Sequence, residues 1–210
     1  MLEQDLGNAL SGHKEPGRCT RQRAFLELER KITGVDAVEP REPNDGMSYW
    51  GYLQPAAIPF VPSPHLIAKR MLEIAELHQG ETLLDLGSGD GRVLIAAVEW
   101  FGAKKAIGVE IREDLVRASR NEIKKKRLED RISVIQGDLF QGPMDEADVV
   151  ALYLTAQALE GLRPRLETQL KQGTRIVCHD YEIKGWQPEK VEKLRLWRFW
   201  PHKIYLYVVQ

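Results

Sequence analysis

The stretch Leu83-Leu84-Asp85-Leu86-Gly87-Ser88-Gly89-Asp90-Gly91-Arg92 decides the fold of this chain. An apolar strand runs here into a turn that has glycine at every second position. Glycine lacks a Cβ, so it permits positive φ and lets the backbone pass close to a ligand. The apolar run 93–98 follows directly. The stretch therefore predicts a strand, a tight turn suited to ligand contact, and a helix.

A second strand end narrows the kind of ligand. Gly108-Val109-Glu110 closes the next apolar run, and Glu110 lies nineteen residues past Gly91. Doubly wound proteins place an acid near this position to bind ribose hydroxyls. The nicotinamide fingerprint requires Gly or Ala where this chain has Arg92, and no Gly-Lys-Ser/Thr of a P-loop follows. The pattern predicts a nucleoside site of another type. Its spacing, Asp-x-Gly-x-Gly-x-Gly, resembles the first motif of S-adenosylmethionine-dependent methyltransferases.

Strands and helices alternate beyond this turn, which predicts a parallel sheet with right-handed crossovers and helices on both faces. Two further strands, joined by a tight turn at Pro201-His202, predict an antiparallel hairpin at the end of the chain. Together these features indicate an α/β, Rossmann-like, seven-stranded methyltransferase fold. The predicted strands cover 82–86, 105–109, 132–136, 147–154, 174–179, 194–200 and 204–209, and the predicted helices 92–100, 112–127 and 157–171.

The N-terminal part differs in composition. Residues 1–47 predict a partly mobile extension with a helix near 20–32, and residues 48–210 predict the methyltransferase domain. A length of 210 residues fits one domain plus such an extension. Tyr49, Trp50 and Tyr52 lie close to several prolines, which favours a packed loop over regular structure. Ser63 then predicts a helix cap, with Pro64 at the first helical position.

The composition of the chain limits its possible binding partners and its cellular compartment. Thirty basic and thirty-one acidic residues leave a formal charge of −1, so no global basic field attracts nucleic acid. Cys19 and Cys178 are isolated, as in a reducing compartment, and the scattered histidines predict no metal site. No apolar run approaches the roughly 18 residues of a membrane span, and the first residues have no leader pattern. We expect a cytoplasmic protein that binds neither membrane nor nucleic acid.

The carboxyl ends of the strands supply the candidate binding residues, because open α/β sheets bind ligands there. The glycine turn is expected to approach the methionine part of S-adenosyl-L-methionine, Glu110 the ribose and Asp138 the adenine amino group. Leu139 or Phe140 is expected to cover the adenine ring, and Tyr153 to face the departing methyl. The cofactor-binding candidates are Asp85, Gly87, Ser88, Gly89, Gly91, Glu110, Asp138 and Leu139.

Plainer interpretations of the same residues stay open. Glu110 is also placed to cap the following helix, and Asp138 to serve as an ordinary turn aspartate. Tyr153 suits a packed core as well as a site. His179-Asp180, at the end of the fifth strand, either touches the substrate or holds the turn.

The chain resembles the archaeal broad-specificity protein lysine methyltransferases and their mitochondrial relatives. The segments that carry the resemblance are Pro59–Pro64, Asp85–Arg92, Gly108–Glu110, Gly137–Phe140, Leu152–Leu154, Leu162–Leu166 and Gly173–Asp180. The resemblance implies S-adenosyl-L-methionine as cofactor and methyl transfer to the lysine ε-nitrogen of protein substrates. Two departures stand out: Cys178 replaces the serine usual before His-Asp, and the resemblance that we recognise does not extend to residues 1–47.

The implied reaction is an in-line displacement by a neutral amine, with Tyr153 as the catalytic candidate lining the channel. The candidates for a lid or substrate channel are Tyr49, Trp50, Tyr52, Pro62, Ser63 and His179. Two rival interpretations remain, an RNA or small-molecule methyltransferase of the same fold and a non-catalytic cofactor-binding module. Against the first, Leu152-Tyr153-Leu154-Thr155 stands where many adenine and glutamine methyltransferases have Asn/Asp-Pro-Pro-Tyr/Phe.

Overall fold

The structure, a computed structural model, describes residue 63, residues 65–197 and residues 200–210. For residues 195–197, 200 and 201 it describes the backbone alone. The predicted helix near 20–32, the extension 1–47, the aromatic loop residues and Pro62 lie outside the described residues. The predicted division at residue 47 therefore stays a prediction.

A single seven-stranded sheet organises the described chain, and its strand order is β3-β2-β1-β4-β5-β7-β6. The first five strands pair in parallel, whereas β7 pairs antiparallel with both β5 and β6. The predicted α/β fold, with its terminal hairpin, is confirmed. The elements are α1 His65–Ile74, β1 Thr82–Leu86, α2 Arg92–Phe101, β2 Lys105–Glu110, α3 Glu113–Lys125, β3 Ile132–Gln136, a 3-10 helix Leu139–Gln141, β4 Val149–Leu152, α4 Ala156–Gln169, β5 Arg175–His179, β6 Lys190–Trp197 and β7 Trp200–Val208.

The two faces of the sheet bury separate cores. Alternate residues of a strand point to opposite faces, so Leu83 packs on one face and Leu84 on the other. Helices α1, α2 and α3 cover the first face, and α4 with the segment around Met144 covers the second. Because both faces are covered, the central strands are almost continuously apolar, as expected of parallel strands. Among the described residues, no helix combines the length and apolarity that crossing a membrane would require.

The predicted position of the hairpin turn is wrong. Pro201 and His202 lie inside β7, opposite Arg195 and Leu194 of β6, and β6 begins at Lys190. Strand β5 ends at His179, opposite Ile204, so the β7 residues before Ile204 have no β5 partner. A proline is tolerated at such a half-paired position, because its missing N–H interrupts no ladder there. Strand β4 is also shorter than predicted, and Tyr153 follows it rather than belonging to it.

Gly108 allows the glycine turn to lie directly against β2. A Cβ at this position would lie 2.5 Å from Ser88 Oγ, 2.6 Å from Leu94 Cδ1 and 2.8 Å from Ser88 Cβ. These contacts are shorter than side chains tolerate, so the strand and the turn would have to separate.

We expect Gly108→Ala to lower the free energy of unfolding by about 1–3 kcal/mol, the usual effect of overpacking a core. Gly137→Ala is the control, since its Cβ would meet only Ile135 Cγ2, at 4.0 Å. That variant should stay within about 0.5 kcal/mol of the parent in urea unfolding. Equal destabilisation by the two substitutions would contradict this account of the turn.

Candidate active site

The glycine turn is attached to the end of β2. The N–H groups of Gly87 and Ser88 both donate to the carbonyl of Val109, at 2.8 and 3.0 Å. Gly91 closes the turn with φ +80°, and a Cβ there would collide with Ser119 Oγ of α3. Both the left-handed conformation and the close helix contact require glycine at position 91. The turn is thus fixed between β2 and α3, with its backbone at the carboxyl edge of the sheet.

The Glu110 carboxylate joins the first two strand ends. Its Oε2 accepts from the N–H of Gly89 at 3.0 Å, and its Oε1 accepts from the N–H of Arg112 at 2.8 Å. The side chain is nearly buried, with 8% of its surface exposed. Arg112 immediately precedes α3, so Glu110 supports the segment that leads into that helix. The same two bonds fix the carboxylate beside the glycine turn, where a ribose ligand is expected.

Asp85 is a buried carboxyl group at the end of β1. Within the described part of the chain, no hydrogen bond or ion pair reaches its side chain. Burial, and then the nearby carboxylates of Glu110 and Asp90, raise the pKa of Asp85 to about 8. A cationic ligand group would be well placed here, since it would stabilise the ionised form that burial and the neighbouring carboxylates disfavour.

Ser88 and Asp138 lie at the predicted strand ends, where Ser88 is buried and Asp138 caps a turn. The Ser88 hydroxyl is buried beside Gly108 and has no hydrogen-bond partner within the described region. Asp138 Oδ1 accepts from the Phe140 N–H at 2.9 Å and so caps the 3-10 helix. The turn role of Asp138 is therefore real. Half-buried Leu139 and partly exposed Phe140 follow it at the edge of the sheet.

A buried ion pair lies beside the turn. Arg92 Nη2 contacts Asp90 Oδ2 at 2.6 Å, and the two side chains are only 7% and 8% exposed. Arg92 Nη1 also donates to the Ser63 carbonyl at 2.8 Å. Burial, and then Arg92, lower the pKa of the neighbouring His65 to about 4. In the sequence Arg92 only excludes a nicotinamide site, whereas in the structure it connects the start of α2 to Ser63, two residues before the first residue of α1.

The contacts continue from Ser63 to the end of β5. Ser63 Oγ lies 2.9 Å from Nδ1 of His179, and the ring of His179 stacks on that of Tyr153 at 4.0 Å between centroids. His179 is fully buried and Tyr153 half-buried, so Tyr153 is the more accessible of the two rings. Burial lowers the pKa of His179 to about 4. Its imidazole is therefore neutral near pH 7.

The second half of the His179-Asp180 pair holds the turn. The Asp180 N–H donates to the Lys203 carbonyl at 2.7 Å, and Asp180 Oδ1 accepts from the Lys203 N–H at 2.9 Å. His202 of β7 completes the cluster, with Nδ1 lying 2.9 Å from His179 Nε2. The sequence contains no local signal for His202, because only the pairing of β7 with β5 brings it beside the end of β5. Tyr49, Trp50, Tyr52 and Pro62 lie outside the described residues, so their lid role stays a prediction.

The strand order, the antiparallel β7 and the acidic glycine turn at the carboxyl edge together define a methyltransferase of the seven-stranded, class I fold. The family profile described as ANTKMT methyltransferase domain matches residues 85–190. The chain belongs to this family, and the resemblance predicted from the sequence is confirmed.

Individual relatives agree on the class of enzyme. A protein-lysine N-methyltransferase of Saccharolobus islandicus (strain REY15A) is 42% identical over 72% of this chain and 94% of its own length. The adenine nucleotide translocase lysine N-methyltransferase of Mus musculus is 26% identical over 87% of this chain and 84% of its own length. A crystal structure described as an RNA methyltransferase from Salinibacter ruber, in complex with S-adenosyl-L-homocysteine, superposes with a TM-score of 0.67. The two sequences are 38% identical, and the superposition covers 71% of this chain and 94% of the Salinibacter ruber chain.

The raised pKa of Asp85 makes stability depend on pH. Its ordinary pKa is 3.8 and its folded value about 8, so the folded protein binds the extra proton between these two values. The contribution of Asp85 to the free energy of unfolding therefore decreases as the pH rises from 3.8 to about 8, and it stays constant at higher pH. Asp85→Asn removes the titration. We compare the melting temperature of Asp85→Asn with that of the parent at the same pH. We expect this difference, variant minus parent, to be about 4 °C or more larger at pH 8.5 than at pH 5.

The exposed Asp145 provides the control, because Asp145→Asn also removes one carboxylate. Melting is followed by circular dichroism for all three proteins at each pH. A melting-temperature difference for Asp85→Asn that is independent of pH would contradict the burial of an ionisable carboxyl at this position.

Proposed function

We propose that this protein transfers methyl groups from S-adenosyl-L-methionine to the ε-amino nitrogen of lysine in protein substrates. The observation that carries the proposal is the Glu110 carboxylate held against the Gly89 amide at the joint carboxyl ends of β1 and β2. The 42% identity to a protein-lysine N-methyltransferase supports the choice of acceptor.

The cofactor would lie across the strand ends. Asp85 and the backbone of Gly87, Ser88, Gly89 and Gly91 would hold its methionine part, and the Glu110 carboxylate would bind the ribose hydroxyls. Asp138 Oδ2, which makes no bond in the 3-10 turn, would accept from the adenine amino group, and Leu139 would cover the ring. Asp85 is buried and has no hydrogen-bond or ion-pair partner among the described residues, which fits a ligand with cationic groups. Bound there, the cofactor supplies a methyl on a positively charged sulfur, which is already activated for displacement.

The acceptor must reach this methyl as a neutral amine. Free lysine has a pKa of about 10.4, so a proton must leave before attack. Tyr153 follows β4 at the same edge of the sheet, and the neutral, buried His179 stands behind it. A channel wall of this kind disfavours the ammonium form and lowers the lysine pKa. We assign Tyr153 to this wall, and Tyr49, Trp50, Tyr52, Pro62 and Ser63 to the approach; positioning and water exclusion then supply most of the catalysis.

The relatives differ in the acceptor that their descriptions name. Two are lysine methyltransferases, whereas the Salinibacter ruber structure is described as an RNA methyltransferase. The formal charge of −1 favours a protein acceptor over RNA, because nucleic-acid binding draws on phosphate neutralisation. We therefore propose protein substrates for this chain, and a cytoplasmic location in keeping with its two isolated cysteines.

The acceptor is tested with the full chain, methyl-labelled cofactor and a cell extract. We expect label that is lost on protease digestion, survives ribonuclease, and appears as methyllysine after acid hydrolysis. Glu110→Ala is the control, and it should give no label because the ribose anchor is gone. Label released by ribonuclease alone would contradict the lysine acceptor, and the absence of label with the parent would contradict catalysis on proteins.

The channel role of Tyr153 predicts a separation of kinetic constants. Tyr153→Ala should lower kcat by about tenfold or more, while the dissociation constant of the cofactor changes by less than about twofold. Its activity should also need higher pH, because a wetter channel lowers the lysine pKa less. Tyr153→Phe should keep most of the activity. Tyr181→Ala, at a position 45% exposed, is the surface control. A parent-like kcat in Tyr153→Ala would exclude Tyr153 from the channel.

A further inference from the structure

Three potential ligand atoms converge between β5 and β7. His179 Nε2 lies 2.9 Å from His202 Nδ1, His202 Nδ1 lies 3.1 Å from Asp180 Oδ2, and Asp180 Oδ2 lies 3.3 Å from His179 Nε2. The three atoms form a nearly equilateral triangle. His179 is fully buried, His202 is nearly so, and the Asp180 side chain is 24% exposed.

Hydrogen bonds can satisfy at most two edges of this triangle. A carboxylate oxygen only accepts, and each neutral imidazole nitrogen either donates one proton or accepts. With one proton among the three atoms, one edge brings two lone pairs together. With a proton on each imidazole nitrogen, both point at Asp180 and the two donors face each other across the 2.9 Å edge. A single cation at the centre is attracted by all three lone pairs at once.

The surroundings hold the three atoms in place. Ser63 Oγ bonds the other nitrogen of His179, which can leave the Nε2 lone pair free to face the triangle. The Lys203 N–H donates to Asp180 Oδ1, which leaves Asp180 Oδ2 available as a ligand atom. Asp180 itself has φ +63°, a conformation that aspartate adopts more readily than most residues. Outer contacts of this kind orient the ligands in metal sites and fix the histidine tautomer.

We propose that His179, His202 and Asp180 bind a divalent transition-metal ion of the Zn²⁺ class. Zinc takes nitrogen and carboxylate oxygen ligands at roughly 2.0–2.2 Å in tetrahedral geometry, which places ligand atoms about 3.3 Å apart. The observed edges need to expand by only a few tenths of an ångström. The fourth position would go to water on the more exposed side, at Asp180. The ion would clamp the end of β5 to β7 and fix the ring that supports Tyr153; it would not touch the methyl group.

The proposal departs from the expectation that the chain has no metal site. That expectation rests on spacing along the sequence, and His202 lies 22 residues from Asp180. The pairing of β7 with β5 closes this distance. The Asp180 N–H donates to the Lys203 carbonyl and the Lys203 N–H donates to Asp180 Oδ1, which brings His202 to the same place. Ligands joined by sheet register leave no short motif in the sequence.

Metal binding is measured on the full chain after removal of bound ions with a chelator. We expect one strong site for Zn²⁺ by calorimetry, with a dissociation constant in the micromolar range or tighter. Co²⁺ should give the intense visible absorption of a four-coordinate ion. Saturation with Zn²⁺ should raise the melting temperature, since an ion that binds only the folded state stabilises it. Absence of a site tighter than millimolar, or a Co²⁺ spectrum of six-coordinate type only, would overturn the proposal.

Variants locate the site. His202→Ala should weaken Zn²⁺ binding by at least tenfold and abolish the Co²⁺ spectrum, whereas exposed His78→Ala should change neither. Asp180→Asn is the second variant, because its amide oxygen can still accept from Lys203 N–H and preserve the turn. Binding of S-adenosyl-L-homocysteine by each variant reports that the fold survives. Parent-like Zn²⁺ affinity in both folded variants would assign the ion to another place and refute this site.

Discussion

The hydrogen bond from the Gly89 amide to the Glu110 carboxylate links the two strand ends on which the rest of the site depends. Glu110 lies at the end of β2 and Gly89 in the turn after β1, so this bond sets the distance between the two places where we propose that the cofactor binds. The Gly87 and Ser88 amides add two bonds to Val109, and Gly108 provides the space for the turn to approach. Each part has a local reason: glycine where the backbone is left-handed or crowded, and a carboxylate where amides converge. All of these contacts lie within the protein, and a site fixed by the protein's own contacts reduces the ordering cost of binding.

A chain of polar contacts extends from this turn to the acceptor side of the sheet. It runs from Asp90 to Arg92, from Arg92 to the Ser63 carbonyl, and from the Ser63 hydroxyl to His179. All of these side chains are nearly buried, and removal of one partner would leave a charge or hydroxyl unpaired in the interior. Ser63, the start of α2 and the end of β5 are therefore held in one arrangement. Tyr153 stacks on the last member, so its position reflects the whole chain of contacts.

The sequence predicts those features that local rules determine. The alternation of apolar runs predicts the parallel sheet, and the spacing from Gly91 to Glu110 predicts two strand ends that meet. The hairpin turn is misplaced, because Pro201 is tolerated where β5 has already ended, and this depends on the relative lengths of distant strands. From the sequence, Arg92 is recognised only as a departure from the nicotinamide fingerprint, because the Ser63 carbonyl to which it donates lies 29 positions away. His202 is missed for the same reason: register, not spacing, brings it to His179. The buried position of the Ser88 hydroxyl follows from packing against Gly108, which no propensity encodes.

The gathering of Asp85, Asp90 and Glu110 around one turn has a thermodynamic consequence beyond recognition. Burial and like charge disfavour the ionised form of Asp85. A cationic cofactor bound beside Asp85, as we propose, would offset that electrostatic cost only in the folded protein, because the unfolded chain does not bring the three acids together. Ligand binding and folding are therefore linked: the folded fraction rises with the ratio of free cofactor to its dissociation constant. The amount of intact enzyme would then follow the supply of methyl donor, so that scarcity of the donor reduces the number of folded molecules as well as the rate of each one.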